Sequence, residues 1–420
     1  MVKKIFLSIG FLLSLQSFAQ QGTASPYSFY GLGDKKFQGT NEYKMMGGTS
    51  VYADSIHLNL NNPAAIGKLK ATTLAIGATS KNYNFKSDYS TESTKRLMLD
   101  YVAVGFPVAK KVGVVFGLQP YSNVGYKVFS TRTNDKKMKE SITAEGNGGV
   151  NNAFIGIGYE ITPNWYVGVD ASYIFGHTTN NTMLQLLDNG SGFSSANTTN
   201  EAMRTDYKGY SARFSTQYIG KINKYDWQAN ATYKPENNLD SDFVSKITNI
   251  NLLNNTVEKG PITELSQSIK SPQELTLGAG FGKELKWFVS GQFAYTQNSK
   301  LTLPQSSPTF ASYEDSKRIS FGGFYIPKYN SFTSYFDRVV YRAGLRYENT
   351  GLVLKNESIN DYAVTAGFGF PIGRNFTNIN LGLEYGQRGT SKQGLIKENY
   401  FNVTVGISLN DFWFKKRRFE

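Results

Sequence analysis

The chain offers little to a catalytic reading. Its 420 residues contain two histidines, His57 and His177, and no cysteine. A lipid hydrolase needs a histidine beside a serine nucleophile, with a third group orienting the imidazole. His177 falls at the outer end of a predicted strand, where a surface role is the simpler reading. His57 falls in a glycine-rich N-terminal stretch. No G-x-S-x-G elbow occurs. Gly278-Ala279-Gly280-Phe281-Gly282 has the glycines of a phosphate loop but no following helix, so they read as small inward residues of a strand. Two separated histidines and no thiolate give no metal-ligand set. The chain is not expected to be an enzyme or to carry a cofactor or metal.

Other residues stand out by position. Pro120 sits inside the apolar run Val112 to Phe129, VGVVFGLQPYSNVGYKVF. A proline there deletes a ladder hydrogen bond, and Asn123 and Gly125 are permissive neighbours for a kink. Asp170, Arg342, Arg346 and Glu384 interrupt otherwise apolar alternation. If one strand face meets lipid, these four must lie on the other, because a lipid-facing Arg at mid-depth costs about 2–4 kcal/mol.

The elements that position them follow from period two. Trp165, Val167, Val169, Ala171, Tyr173 and Phe175 alternate with Gly168, Asp170 and Ser172. Val339, Tyr341, Ala343, Leu345 and Tyr347 alternate with Arg342, Gly344, Arg346 and Glu348. The same pattern recurs at 227–233, 362–370, 379–385 and 401–409. Segments near ten residues, aromatic at both ends, are the pattern of membrane-spanning strands. Tight connections at 109–111, 162–164, 223–224, 282–285 and 373–375 take turns with longer polar ones at 130–146, 179–200, 304–315 and 355–360. This is the asymmetry of short periplasmic turns and long outer loops. Strands are predicted at 70–85, 94–108, 111–130, 147–161, 165–179, 201–221, 225–245, 256–282, 286–303, 317–327, 339–354, 361–372, 376–389 and 395–409. The fold class is all-β, a fourteen-stranded antiparallel transmembrane barrel with both ends periplasmic, and 328–337 is an unusually long periplasmic connection.

Composition agrees. There are 41 Gly, 27 Tyr and 29 Phe, with negative mean hydropathy, as in a barrel whose apolar residues point only outward. Residues 1–19 read as a signal peptide: basic Lys3 and Lys4, an apolar run from Ile5 to Leu15, and a small-x-small site at Ser17-Phe18-Ala19. The run is too short to span as a helix. The formal charge of +13 is dispersed, with no basic helical stripe, so nucleic acid is not an expected partner. Anionic lipid or lipopolysaccharide suits it better.

Residues 20–69 form an arm and then a compact segment, MMGGTSVYADSIHLNLNNPAAIGKL, whose glycines and Pro63 break any ladder. This stretch resembles the N-terminal hatch of the FadL/TodX family of outer-membrane transporters through Gly47-Gly48, Ala53-Asp54 and Asn62-Pro63-Ala64. The part after Lys317, including Tyr341-Arg342-Ala343-Gly344 and Glu384-Tyr385-Gly386, resembles FadL-like proteins of the Bacteroidetes kind. The resemblance implies a hatch inside the lumen of the barrel formed by 70–420, with Gly47, Gly48, Asp54, Asn62, Pro63 and Ala64 as its residues. It implies a Gram-negative outer-membrane location and passive uptake of hydrophobic small molecules, long-chain fatty acids or aromatic hydrocarbons, through a largely apolar pocket. Exit would be sideways through a kinked third strand, at Pro120, Asn123 and Gly125. Asp170, Arg342, Arg346 and Glu384 would be polar lumen residues, and the protein a monomer. The same fold resembles PorV, a shuttle barrel that docks exported proteins in type IX secretion, which is the alternative function. The aromatic end of the last strand, Phe412-Trp413-Phe414, suits recognition by the barrel-assembly machinery; the basic tail 415–418 departs from barrels ending at a terminal Phe.

Overall fold

The computed structural model describes residues 22–88, 90–133, 139–187, 197–251, 256–301, 310–372 and 377–412. The expected leader, the turn at 373–375 and the basic tail lie outside the described residues. The strands are β1 Thr72–Lys86, β2 Thr91–Ala109, β3 Val112–Thr133, β4 Lys139–Thr162, β5 Trp165–Leu186 and β6 Asn197–Ile222. β7 runs as two halves, Tyr225–Lys234 and Asn237–Asn251, and β8 as Thr256–Ser271 and Glu274–Lys283. Pro235 and Pro272 interrupt them at matching heights, since Lys234 pairs with Glu274 and Asn237 with Ser271. Then come β9 Trp287–Thr296, β10 Ser316–Tyr325 (preceded by a short piece, Ala311–Tyr313), β11 Val340–Leu354, β12 Glu357–Ile372, β13 Thr377–Arg388 and β14 Lys397–Asp411.

Each strand pairs antiparallel with the next, and β14 closes on β1 from Asp411↔Thr72 to Lys397↔Lys86. The barrel has fourteen strands, as predicted. Closure is what hydrocarbon demands, because an open edge there leaves backbone groups without partners. Ile155, Ile157, Phe214, Val289, Phe321, Leu345 and Val364 are exposed on the outer wall. Trp165, Tyr218, Tyr225 and Trp287 lie near the short-turn rim, and Tyr173, Tyr210, Tyr347, Tyr362 and Tyr385 form a second band above. An apolar belt between aromatic girdles marks a multi-pass barrel of the outer membrane, with the short turns periplasmic.

The structure lengthens the outer half beyond expectation. β3 continues to Thr133 and β4 starts at Lys139, inside the predicted loop 130–146. β5 reaches Leu186 and β6 begins at Asn197, inside 179–200. The predicted loop 355–360 contracts to a tight turn with Lys355 and Asn356 at φ 49 and 65. Above the membrane both faces of a hairpin meet water. The ladder persists there, but the apolar alternation that signals a strand does not. At the other rim the long connection after β10 carries one helical turn, Phe336–Arg338.

Residues 22–71 run inside the barrel and are largely buried. They include a 3-10 turn at Pro26–Phe29, a two-residue strand at Asp34–Lys35, a helical turn at Asn41–Lys44 and a second 3-10 segment at Pro63–Lys68. Leu58, Leu60, Ile66 and Leu69 pack with Tyr101, Ala103, Val115 and Phe154 of the wall.

Candidate functional site

The inner segment is wired to inward side chains around the barrel. Ser50 donates through both N–H and hydroxyl to Gln292 Oε1 of β9 (2.7 and 2.8 Å). Ala53 N–H donates to Gln228 Oε1 of β7 (2.8 Å), and Ala64 N–H to Ser215 Oγ of β6 (2.7 Å). Asn62 Nδ2 donates to Gln217 Oε1 (2.6 Å). Lys44 Nζ donates to Thr79 Oγ1 of β1 (3.1 Å) and Thr404 Oγ1 of β14 (3.3 Å). A segment without a ladder of its own must satisfy its backbone this way.

Gly47 and Gly48 have φ of 68 and 82, and Gly47 N–H donates to Thr365 Oγ1 (3.1 Å). Facing them, a Cβ on Gly344 of β11 would stand 2.0 Å from Gly47 N, so the two backbones touch. Pro63 lies equally close to Gly168 of β5, whose added Cβ would meet Pro63 C at 2.3 Å. Gly278, in the run that mimics a phosphate loop, faces Val51 of the inner segment.

Asp54 accepts from the backbone N–H groups of Ile56 (3.0 Å) and His57 (2.8 Å), and its other oxygen pairs with His57 Nδ1. Burial works against a charged ring, but Asp54 outweighs it and holds the His57 pKa above its ordinary value. His177 is exposed on β5, opposite Asp206 in the ladder. Neither histidine has the serine partner a hydrolase would use among the described hydrogen bonds.

Pro120 sits at a bulge: β3 pairs with β4 through Pro120↔Asn151 and resumes at Ser122↔Val150, leaving Tyr121 without a partner there. On its other edge β3 pairs with β2 only as far as Leu118↔Val102. Beyond that point β2 and β3 part. The freed edge of β3 is taken by the inner segment: Asp34 and Lys35 pair with Asn123 and Ser122, Lys36 N–H donates to Tyr121 O (3.1 Å), and Gln38 Nε2 donates to Pro120 O (2.7 Å). Gly125 N–H donates to Ser28 Oγ (3.1 Å).

Above the inner segment lies a cavity of about 270 Å³, bordered by this Asp34–Gln38 strap and by Tyr121. It is not the largely apolar pocket expected. Tyr27, Leu32, Ile174 and Leu352 line one part, but Asp170, Arg213, Arg346 and Arg388 line another. The charges are mostly spent on each other. Arg388 pairs with Asp34 (2.8 Å) and Asp361 (3.0 Å), Arg346 with Glu384 (3.0 Å) and Asp361 (3.6 Å), and Arg213 with Asp170 (3.2 Å). Arg342 is buried lower in the barrel and donates to Asn380 Oδ1 (2.9 Å). Lys36 lies 2.6 Å from Asp34. Burial drives the Lys36 pKa down to about 7 although Asp34 favours the charged ammonium. Burial pushes Asp34 upward, but Lys36 and Arg388 hold it well below the usual carboxylate range.

Sequence reasoning placed Asp170, Arg346 and Glu384 beside the lumen but did not find their partners Arg213 and Asp361, nor Arg388, Asp34 and Lys36. Arg388 shares its strand face with Glu384, and Asp361 shares one with Thr365, so parity alone could have found both.

The sequence profile of the BamG family matches residues 1–420. The chain belongs to the BamG family. Solved barrels resemble this BamG-family chain in fold. The Pseudomonas putida toluene transporter TodX superposes with a TM-score of 0.60 at 16% identity, covering 91% of this chain and 100% of that one. The CymD monoaromatic hydrocarbon channel gives 0.57 at 13%, covering 93% and 100%. The Ralstonia pickettii toluene transporter TbuX gives 0.57 at 14%, covering 89% and 98%. No protein of curated function matches the sequence.

Proposed function

We propose that the barrel is a passive outer-membrane channel for hydrophobic small molecules, long-chain fatty acids or aromatic hydrocarbons. The substrate enters between the outer hairpins, occupies the cavity above the inner segment and leaves sideways between β2 and β3. The observation that carries this reading is the parting of those strands beyond Leu118↔Val102, beside a cavity walled by the same strap that covers the gap. Unpaired wall backbone costs several kcal/mol in hydrocarbon, so such a gap is retained only where something lines it. The ion pairs cancel part of the cavity's charge, with Lys35, Lys234 and Arg318 also on its lining, while Tyr27, Leu32, Ile174 and Leu352 offer an apolar surface. In this reading the inner segment is a plug, and Gly47, Gly48, Asp54, Asn62, Pro63 and Ala64 fix it. The relatives in fold are named as channels or transporters of aromatic hydrocarbons, which is consistent.

The test is a crosslink across the strap. Lys35 and Ser122 are register partners. Antiparallel partners have Cα atoms about 4.5–5.5 Å apart, within disulfide range. Lys35→Cys with Ser122→Cys, in a chain with no native cysteine, should on oxidation stop uptake of a labelled fatty acid or toluene. Reduction should restore it, with heat-modifiable mobility unchanged. Full crosslinking with uptake at the uncrosslinked rate would refute sideways exit.

One observation favours a second reading, docking of exported proteins. The outer half of β8, Thr256–Ser271, pairs along one edge only among the described residues, and carries exposed Val257 and Ile262. An exposed edge offers backbone groups to another strand. Removing residues 241–266 should abolish surface display of client proteins and spare uptake if docking is the role; normal display would exclude it. Contacts with anionic lipid and lipopolysaccharide, recognition of the β14 end by the barrel-assembly machinery, and a monomeric state belong to the same proposal.

A further inference from the structure

A second cavity lies at the periplasmic rim, on the opposite side of the inner segment from the proposed route. It measures about 300 Å³. Its walls include Met46, Tyr52, Ile56, Phe324, Ile326 and Val340, and the connection after β10 reaches over it with Tyr329 and Phe332. Phe332 is 100% exposed, so the roof holds a large apolar side chain with nothing against it.

The polar part comes from the inner segment and from Arg338 and Arg342 beside it. Glu42, Tyr43 and His57 all line this cavity, and each has one polar atom without a hydrogen-bond partner in the structure: Glu42 Oε2, Tyr43 Oη and His57 Nε2. Glu42 and Tyr43 are 3% and 1% exposed. Their other bonds are in place. Glu42 Oε1 accepts from Asn380 Nδ2 (2.9 Å) and Ser408 Oγ (2.6 Å), and His57 Nδ1 is committed to Asp54. Buried polar atoms are ordinarily satisfied, so these three, with Arg338 Nε as a fourth on the same lining, call for a partner. A carboxylate oxygen can only accept, and a phenol can do both. Together they suit a guest whose polar end donates to Glu42 and accepts from Tyr43. An anionic head group would face the Glu42 carboxylate, while the two arginines on the lining are engaged, Arg342 with Asn380 and Arg338 over the Tyr335 ring; a bare hydrocarbon would leave these atoms unmet.

We infer that this cavity is a binding site for a small uncharged amphiphile, an aromatic or aliphatic body ending in a hydroxyl or amide, taken from the periplasmic side. It is independent of the gap between β2 and β3.

Fluorine NMR on the full chain in detergent tests it with 4-(trifluoromethyl)phenol, (trifluoromethyl)benzene and 4-(trifluoromethyl)benzoate, which share one body. The phenol should bind about tenfold or more tighter than the other two, the scale of a hydrogen bond to a charged group. Tyr43→Phe removes only an unpartnered hydroxyl, so the barrel should fold as before while the phenol's advantage falls severalfold. Ile372→Trp, at the half-exposed mouth, should block the phenol, whereas the oxidised Lys35→Cys/Ser122→Cys protein should still bind it. Equal binding of all three probes, binding of none, an unchanged preference in Tyr43→Phe or undiminished binding in Ile372→Trp would each overturn the inference. Undiminished binding in Ile372→Trp would place the probe elsewhere, in water-filled lumen or detergent.

Discussion

Replacing Gly344 by alanine tests whether the inner segment is seated against the wall as tightly as its contacts indicate. The added methyl would stand 2.0 Å from Gly47 N, 2.4 Å from Met46 C and 2.7 Å from Gly47 Cα. All three are backbone atoms, so no side chain can rotate away. Overpacking a filled interior costs about 1–3 kcal/mol, and this contact belongs at the upper end. The barrel ladder around Gly344 is paired on both sides, to Gly322 and Thr365, so the strain should fall on the seating of the inner segment. About 3 kcal/mol corresponds to roughly a hundredfold shift in that equilibrium. The assay is protease protection of residues 45–66 in reconstituted protein, with leakage of small polar solutes from the same liposomes. Gly291→Ala is the control, because its methyl would meet only the Phe321 side chain, at 3.0 Å. Gly344→Ala should lose protection and leak, and Gly291→Ala should do neither. Unchanged protection and leakage in a correctly folded Gly344→Ala barrel would show that the contact is not a seat.

Three further outcomes are expected. Arg388→Ala leaves Asp34 and Asp361 facing each other without their shared cation, and breaking a buried pair of this kind costs about 3–5 kcal/mol; urea titration of folded barrel in lipid should show that loss, with part recovered in Arg388→Ala/Asp34→Ala. The His57 pKa is raised in the folded state, so the Asp54–His57 contact contributes fully below about pH 6.5 and is lost as pH rises through the higher folded value; histidine NMR should give a midpoint above 6.5 that Asp54→Asn lowers, and a midpoint at or below 6.5 in the native chain contradicts the argument. Cysteine at Asn356 should be labelled on intact cells by an impermeant maleimide and cysteine at Lys224 should not; the reverse would invert the barrel.

The sequence carried the wall well and the interior poorly. A lipid-facing strand must show its apolar residues at every second position, so Trp165 to Phe175 or Phe401 to Leu409 could hardly be anything else. Where lipid ends, that constraint ends too, and residues 139–146 and 179–186 read as loop although they continue the ladder. Polar inner residues are equally permissive. Gln217, Gln228 and Gln292 are unremarkable glutamines until the backbone of residues 50–62 lies against them. Asp34-Lys35-Lys36 looks like a solvated charge run. Its role at the edge of β3 depends on a pairing across some ninety residues, which no local pattern encodes.

Lys44 has a consequence for how the molecule is made. Its ammonium bonds one threonine on the first strand and one on the last. The residue is synthesised before either strand, and the two threonines meet only when the cylinder shuts, when Thr79 and Thr404 bond each other at 2.8 Å. A slip of one residue at that final joint would turn Thr404 toward lipid and cost the ammonium one of its two threonine acceptors. Lys44 therefore has both of its threonine acceptors only when the first and last strands meet in this register. The seam and the inner segment are thus joined at one point, so register at the closing joint and seating of the segment are a single constraint.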